Sequence, residues 1–217
     1  MKIFHFRDVW PQLANLILRR RFRFDFELIP YRAENLSWRK IGNFFLAGLN
    51  QYLPRPRPFG KPVFAQVEPA NFCNLSCPLC LTVSESHARP AAVLPFDVFR
   101  RFIDEVGDTL LLIVFWNWGE PFLNPDLCRM LACAKAKGIL THCSTNGNVR
   151  FDEEKAREIV RSGLDTLIFG VDGATPETYA KYRVGAILTG CWTTSAPCSG
   201  CGRSLGRPPP GSTCASW

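Results

Sequence analysis

From residue 63 to about residue 183, short aliphatic runs alternate with amphipathic stretches, and this alternation narrows the possible folds more than any other feature. VFAQVE (63–68), LLLIVFW (110–116), ILTHCS (139–144) and DTLIFGV (165–171) read as strands. Helix-like stretches lie between them at about 96–106, 125–137 and 152–162, and another opens near Pro176. Aliphatic strands separated by helices predict an α/β fold with a parallel sheet and right-handed crossovers. Unusual polar residues collect just after each strand: NFCNLSCPLC, then WGEP, then STNG, then DG. In parallel α/β folds ligands bind at those strand ends, so the four clusters are expected at one mouth.

The first cluster carries the sharpest chemistry. Cys73, Cys77 and Cys80 share one loop that holds no His or Asp. A structural zinc site needs four ligands, usually as two separated pairs. Iron–sulfur clusters are held by one thiolate per iron, so a 4Fe–4S cube on three cysteines keeps one iron open for a ligand. Ten cysteines could also suggest a secreted, disulfide-stapled chain, but 217 residues at 47% hydrophobic content argue against that class. The start, MKIFHFRDVW, does not read as a secretory leader, and no apolar run approaches the roughly 20 residues of a spanning helix. A reducing, cytoplasmic location is expected, where clustered cysteines point to metal or redox chemistry.

Cys-x3-Cys-x2-Cys at the end of a first strand, preceded by EPANF, resembles the radical S-adenosylmethionine (radical SAM) superfamily, and most closely its SPASM-type members. The likeness covers about residues 63–183 and implies a TIM-like (β/α)6 barrel, of which about four βα units are present. It implies a 4Fe–4S cluster on Cys73, Cys77 and Cys80 and S-adenosyl-L-methionine as second cofactor. Electron transfer from the cluster then frees a 5′-deoxyadenosyl radical, which abstracts hydrogen from a substrate the sequence does not specify. An external donor of flavodoxin or ferredoxin type is implied as partner. WGEP stands at the family's Gly-Gly-Glu-Pro, so Gly119, Glu120 and Pro121 are expected at the cofactor, with Trp118 replacing the first glycine. Ser144 and Asn146 of STNG match the third-strand motif. Gly170 stands where the family has a serine, and Arg183 matches the arginine that pairs with the cofactor's carboxylate. Leu79, in place of an aromatic residue, is expected to contact adenine through its backbone. The alternative is a catalytically inactive fragment that binds an iron–sulfur cluster or zinc.

The flanks differ in character. Residues 1–62 hold 12 Lys/Arg against 4 Asp/Glu, whereas the whole chain has a net charge of +7, so the excess positive charge lies here. Helix-like spacing at about 11–21 and 36–53, followed by LPRPRPFGKP, predicts a basic helical extension ending in a stiff linker. The preferred reading is a helical collar that packs on the next domain with its arginines solvated; weak membrane-surface contact is the alternative, and no nucleic acid is expected. The predicted domains are therefore 1–62, a partial core at 63–185, and a tail at 186–217. Of residues 191–217, 20 of 27 are Gly, Pro, Ser, Thr or Cys, a composition that reads as disordered or out of frame. Cys198 and Cys201, with Cys191 and Cys214, raise the further possibility of a second cluster. Cys128, Cys133 and Cys143 read as small core residues.

Overall fold

The computed structural model describes residues 6–50, 52–53, 56–83, 89–149 and 152–188, with side chains from residue 11 onward. The tail cysteines therefore lie outside the described residues. The chain divides into two units, 1–64 with 104–111 and 65–103 with 112–217.

The first unit contains α1 (Phe6–Arg19), β1 (Phe22–Phe26), β2 (Ile29–Ala33) and α2 (Trp38–Leu49). The two strands form an antiparallel hairpin with Phe26 opposite Ile29. Its period-two pattern, Phe22, Phe24 and Phe26 against Arg23 and Asp25, gives the strand half-buried apolar positions and exposed charges. This hairpin is absent from the sequence expectation of two helices. The usual signal, Asn-Gly at the turn, is missing: Glu27 and Leu28 form the two-residue loop at φ +50° and +63°. Leu16, Tyr31, Leu36, Ile41, Leu110 and Leu111 are among the unit's buried apolar side chains. Asn43 clamps the linker, accepting from Lys61 N–H at 2.7 Å and donating to Lys61 O at 3.0 Å. That contact also requires Gly60, where a Cβ would lie 2.8 Å from Ala47 N.

The second unit carries the predicted alternation. Its elements are β3 (Phe64–Val67), α3 (Phe96–Val106), β4 (Leu112–Phe115), α4 (Leu127–Ala136), β5 (Leu140–Thr145), α5 (Glu153–Arg161), β6 (Thr166–Phe169) and α6 (Pro176–Tyr182). The sheet order is β3-β4-β5-β6, with β4–β5 and β5–β6 parallel, as expected of a partial barrel. Sequential order without a switch means that each crossover moves the chain on to the next position in the same direction. All four residues of β4 are buried, and each such side chain contributes roughly 2 kcal/mol of burial free energy. Phe99 and Ile103 of α3, Leu127, Met130 and Leu131 of α4, and Ile159 of α5 are buried in the same core. Helix openings follow local chemistry: Asp152 accepts from Lys155 N–H at 2.8 Å, and Thr175 with Thr178 forms a capping box before Pro176. Among the described residues, no helix is long and apolar enough to cross a membrane.

Candidate functional site

The loops that follow β3, β4 and β5 are joined by hydrogen bonds into one assembly. After β3, Glu68 accepts from Trp118 N–H at 3.1 Å and from Arg89 at 2.7 Å. The next residues let two backbones approach closely. Glu120 N–H donates to Phe72 O at 2.9 Å, and a Cβ on Gly119 would lie 1.9 Å from Ala70 O. Only glycine fits there, which is the physical reason for Gly in WGEP. The carbonyl of the neighbouring Trp118 accepts from Cys80 Sγ at 3.5 Å.

Glu120 is buried, at 2% exposure, and its carboxylate joins the second loop to the third. Oε1 accepts from Thr145 Oγ1 at 2.8 Å and Phe122 N–H at 3.2 Å, and Oε2 accepts from Asn146 N–H at 2.8 Å. Burial raises its pKa; the bonds from Asn146, Thr145 and Phe122, and the Arg183 charge, offset that rise only in part. Pro121 beside it is buried as well.

Cys73 and Cys80 are half-buried and Cys77 is buried, all as free thiols. Cys73 Sγ accepts from Leu75 N–H and from Asn146 Nδ2, each at 3.4 Å. Burial raises the Cys73 thiol above its ordinary pKa, against the lowering pull of those two donors. Cys80 Sγ meets Thr82 Oγ1 at 3.1 Å. Among the described residues, no three His, Cys, Asp or Glu side chains converge on a point that could hold a single metal ion. An all-sulfur set spread along one loop suits a cluster that takes one thiolate per iron better than it suits a lone zinc.

Arg183 ends α6, ion-paired with Asp172. A Cβ on Gly170 would stand 2.6 Å from Arg183 Nη2, so the guanidinium occupies the space that a side chain at 170 would need. The following residue ties this segment to the cysteine loop through Ser76 N–H to Val184 O at 2.9 Å. Ser144 is half-buried, Asn146 is buried, and Leu79 stands 78% exposed. Cys128 and Cys143 are core residues, as the sequence suggests, whereas Cys133 is only half-buried.

Sequence reasoning overlooked Asn74, Thr145, Asn148 and Tyr179. Asn74 donates to Asn148 O at 2.9 Å, and Asn148 Nδ2 donates to Tyr179 Oη at 3.0 Å. The density of asparagine in FCN and TNGN was the available signal, since paired amides lock loops to one another.

The sequence pattern described as the Radical SAM superfamily matches residues 67–188. The AdoMet-dependent heme synthase of Methanosarcina barkeri is 32% identical over 111 residues, covering 51% of this chain and 31% of that protein. The PqqA peptide cyclase of Gluconobacter oxydans is 31% identical over 135 residues, covering 62% of this chain and 35% of that protein. The chain thus spans about a third of the length of these curated relatives. Among solved structures, Streptococcus suis SuiB bound to precursor peptide SuiA aligns with TM-score 0.59 at 13% identity, covering 90% of this chain and 43% of that one. That likeness concerns the fold.

Proposed function

Because the chain belongs to the radical S-adenosylmethionine superfamily, we propose that Cys73, Cys77 and Cys80 hold a 4Fe–4S cluster at which S-adenosylmethionine binds and is cleaved reductively. The observation that carries this reading is the triplet of free thiols in a loop docked, through Gly119 and Glu120, onto the ends of the neighbouring strands. When bound, the cluster supplies one electron, taken from an external donor of flavodoxin or ferredoxin type, to break the sulfonium S–C bond and release a 5′-deoxyadenosyl radical.

The chain's own residues bind and orient. Gly119 lets the second loop seat against the first, and Trp118 presents its carbonyl beside Cys80. Such carbonyls suit the cofactor's ammonium group. Glu120 acts as a strut that holds Thr145 and Asn146 in place, its carboxylate oxygens being taken by the protein. Arg183, held by Asp172, offers a guanidinium suited to the cofactor's carboxylate. Its intrusion beside Gly170 compensates for the missing serine. Ser144, and the backbone of Leu79, complete the proposed contacts. A heme synthase and a peptide cyclase share this core with the chain. The core therefore carries the cofactor chemistry, and the choice of substrate resides elsewhere.

Anaerobic reconstitution with iron and sulfide is expected to give a brown protein with the EPR signal of a reduced cube, altered by added S-adenosylmethionine. Cys77→Ala is expected to abolish it, and Arg183→Gln to weaken the cofactor titration roughly ten- to hundredfold, the worth of one charge-assisted bond. A full cluster in the Cys77→Ala protein would refute the assignment.

A further inference from the structure

Asn146, at the end of β5, is buried at 5% exposure and has every polar atom of its side chain engaged. Its Oδ1 accepts from Asn148 N–H at 2.7 Å, so flipping the amide would lose that bond, and the nitrogen must face the cysteine loop. Nδ2 donates to Asn74 Oδ1 at 2.8 Å and to Cys73 Sγ at 3.4 Å. Asn74 is itself oriented, because its Nδ2 donates to Asn148 O at 2.9 Å. The three asparagines close a ring of amides that spans two loops and leaves one N–H aimed at sulfur. From below, the Asn146 backbone N–H is anchored on Glu120 Oε2 at 2.8 Å.

The cysteines are not equivalent in this respect. Cys73 Sγ receives two N–H donors, from Leu75 and Asn146, besides a longer contact in which its thiol donates to Asn74 Oδ1 at 3.8 Å; Cys80 Sγ receives no N–H among the described residues. The partners of Cys80 are oxygens, the Thr82 hydroxyl and the Trp118 carbonyl. We propose that Asn146 is a positioning residue for Cys73, donating a hydrogen bond to its sulfur that raises the reduction potential of the cluster and makes Cys73 electronically distinct from Cys80. This rests on the cluster reading given above. An N–H aimed at a ligating sulfur withdraws charge from it and favours the more negative, reduced state, one of the means by which a protein sets cluster potential.

The test uses the full chain, reconstituted anaerobically and kept free of S-adenosylmethionine, so that contact between Asn146 and that cofactor plays no part. Iron and sulfide content are measured first. Asn146→Leu preserves the side-chain shape and removes the donor. The expected result is full loading, a potential shifted to more negative values, and loss of one of the two exchangeable-proton couplings that ENDOR should detect near Cys73. A second measurement needs no substitution: with 15N confined to asparagine side-chain amides, the reduced, unaltered protein is expected to show a weak 15N coupling. An unchanged potential in loaded Asn146→Leu protein overturns the inference, as does the absence of 15N coupling in unaltered protein; both leave the cluster reading standing. Failure of the unaltered chain to take up a cluster, or full uptake by Cys73→Ala, overturns the cluster reading and this inference with it.

Discussion

At the scale of single residues, two buried polar groups give the second unit a pronounced sensitivity to protons and charge. His142 in β5 is 0% exposed, lies 4.7 Å from the Trp116 ring, and has its pKa lowered by burial from 6.5 to about 4. Between those values the unfolded chain binds the proton and the folded chain does not, so this contribution is complete above about pH 6.5 and is lost as pH falls toward 4. The loss is roughly 3 kcal/mol, since each tenfold change in proton affinity is worth about 1.4 kcal/mol. Urea titrations of the unaltered protein and of His142→Leu between pH 7 and 4 should converge in slope only if this histidine is silent; the expected outcome is a flatter profile for the variant. Glu120→Gln tests a different kind of dependence. An amide keeps one acceptor oxygen, so its NH2 must confront either the Asn146 N–H or the Thr145 and Phe122 donors. The expected cost is about 2 kcal/mol of stability, read as a lowered urea midpoint, because a buried donor is left without an acceptor.

At the scale of elements, local patterns explain the core unit better than the first one. Strand β4 combines aliphatic composition with full burial, and α5 and α6 begin at residues whose side chains cap them. The hairpin of β1 and β2 is held instead by tertiary and cross-strand contacts such as the stacked rings of Phe24 and Tyr31, whose centroids are 5.5 Å apart. Its turn works against residue preference, since Leu28 adopts φ +63° while 73% exposed. Leu28→Gly therefore removes left-handed strain and loses almost no burial. A gain of about 0.5–1 kcal/mol is expected, observable as slower amide exchange across the Phe24–Tyr31 pair.

For the molecule as a whole, the consequence of the proposed site is linkage between metal loading and folding. Whatever binds the folded chain and not the unfolded one stabilises it in proportion to the logarithm of its concentration over Kd. Reconstitution with iron and sulfide is accordingly expected to raise the apparent Tm, and Cys77→Ala to show no rise. Exchange protection should increase first in the segments joined by hydrogen bonds: the cysteine loop, the Gly119–Glu120 turn, and the loop from Asn146 to Asn148.

Strand and helix order in residues 63–183 and the parallel class of the sheet were legible in the sequence, because aliphatic runs and helix caps are local signals, and the cysteine spacing pointed to the superfamily whose pattern matches residues 67–188. The first-unit hairpin was not legible: its apolar alternation is short, and neither turn residue has the chemistry that marks such turns. Nor could the sequence show that the Glu120 carboxylate is spent on the protein, or that Arg183 fills the space left by Gly170. The partners of Glu120 lie up to 26 residues away and its charge is compensated by donors from another loop. Such pairings depend on which strand ends are brought together. Only packing of the parallel sheet decides that, since it turns separated, individually ordinary residues into neighbours at a buried, low-dielectric point where each unmade bond is costly.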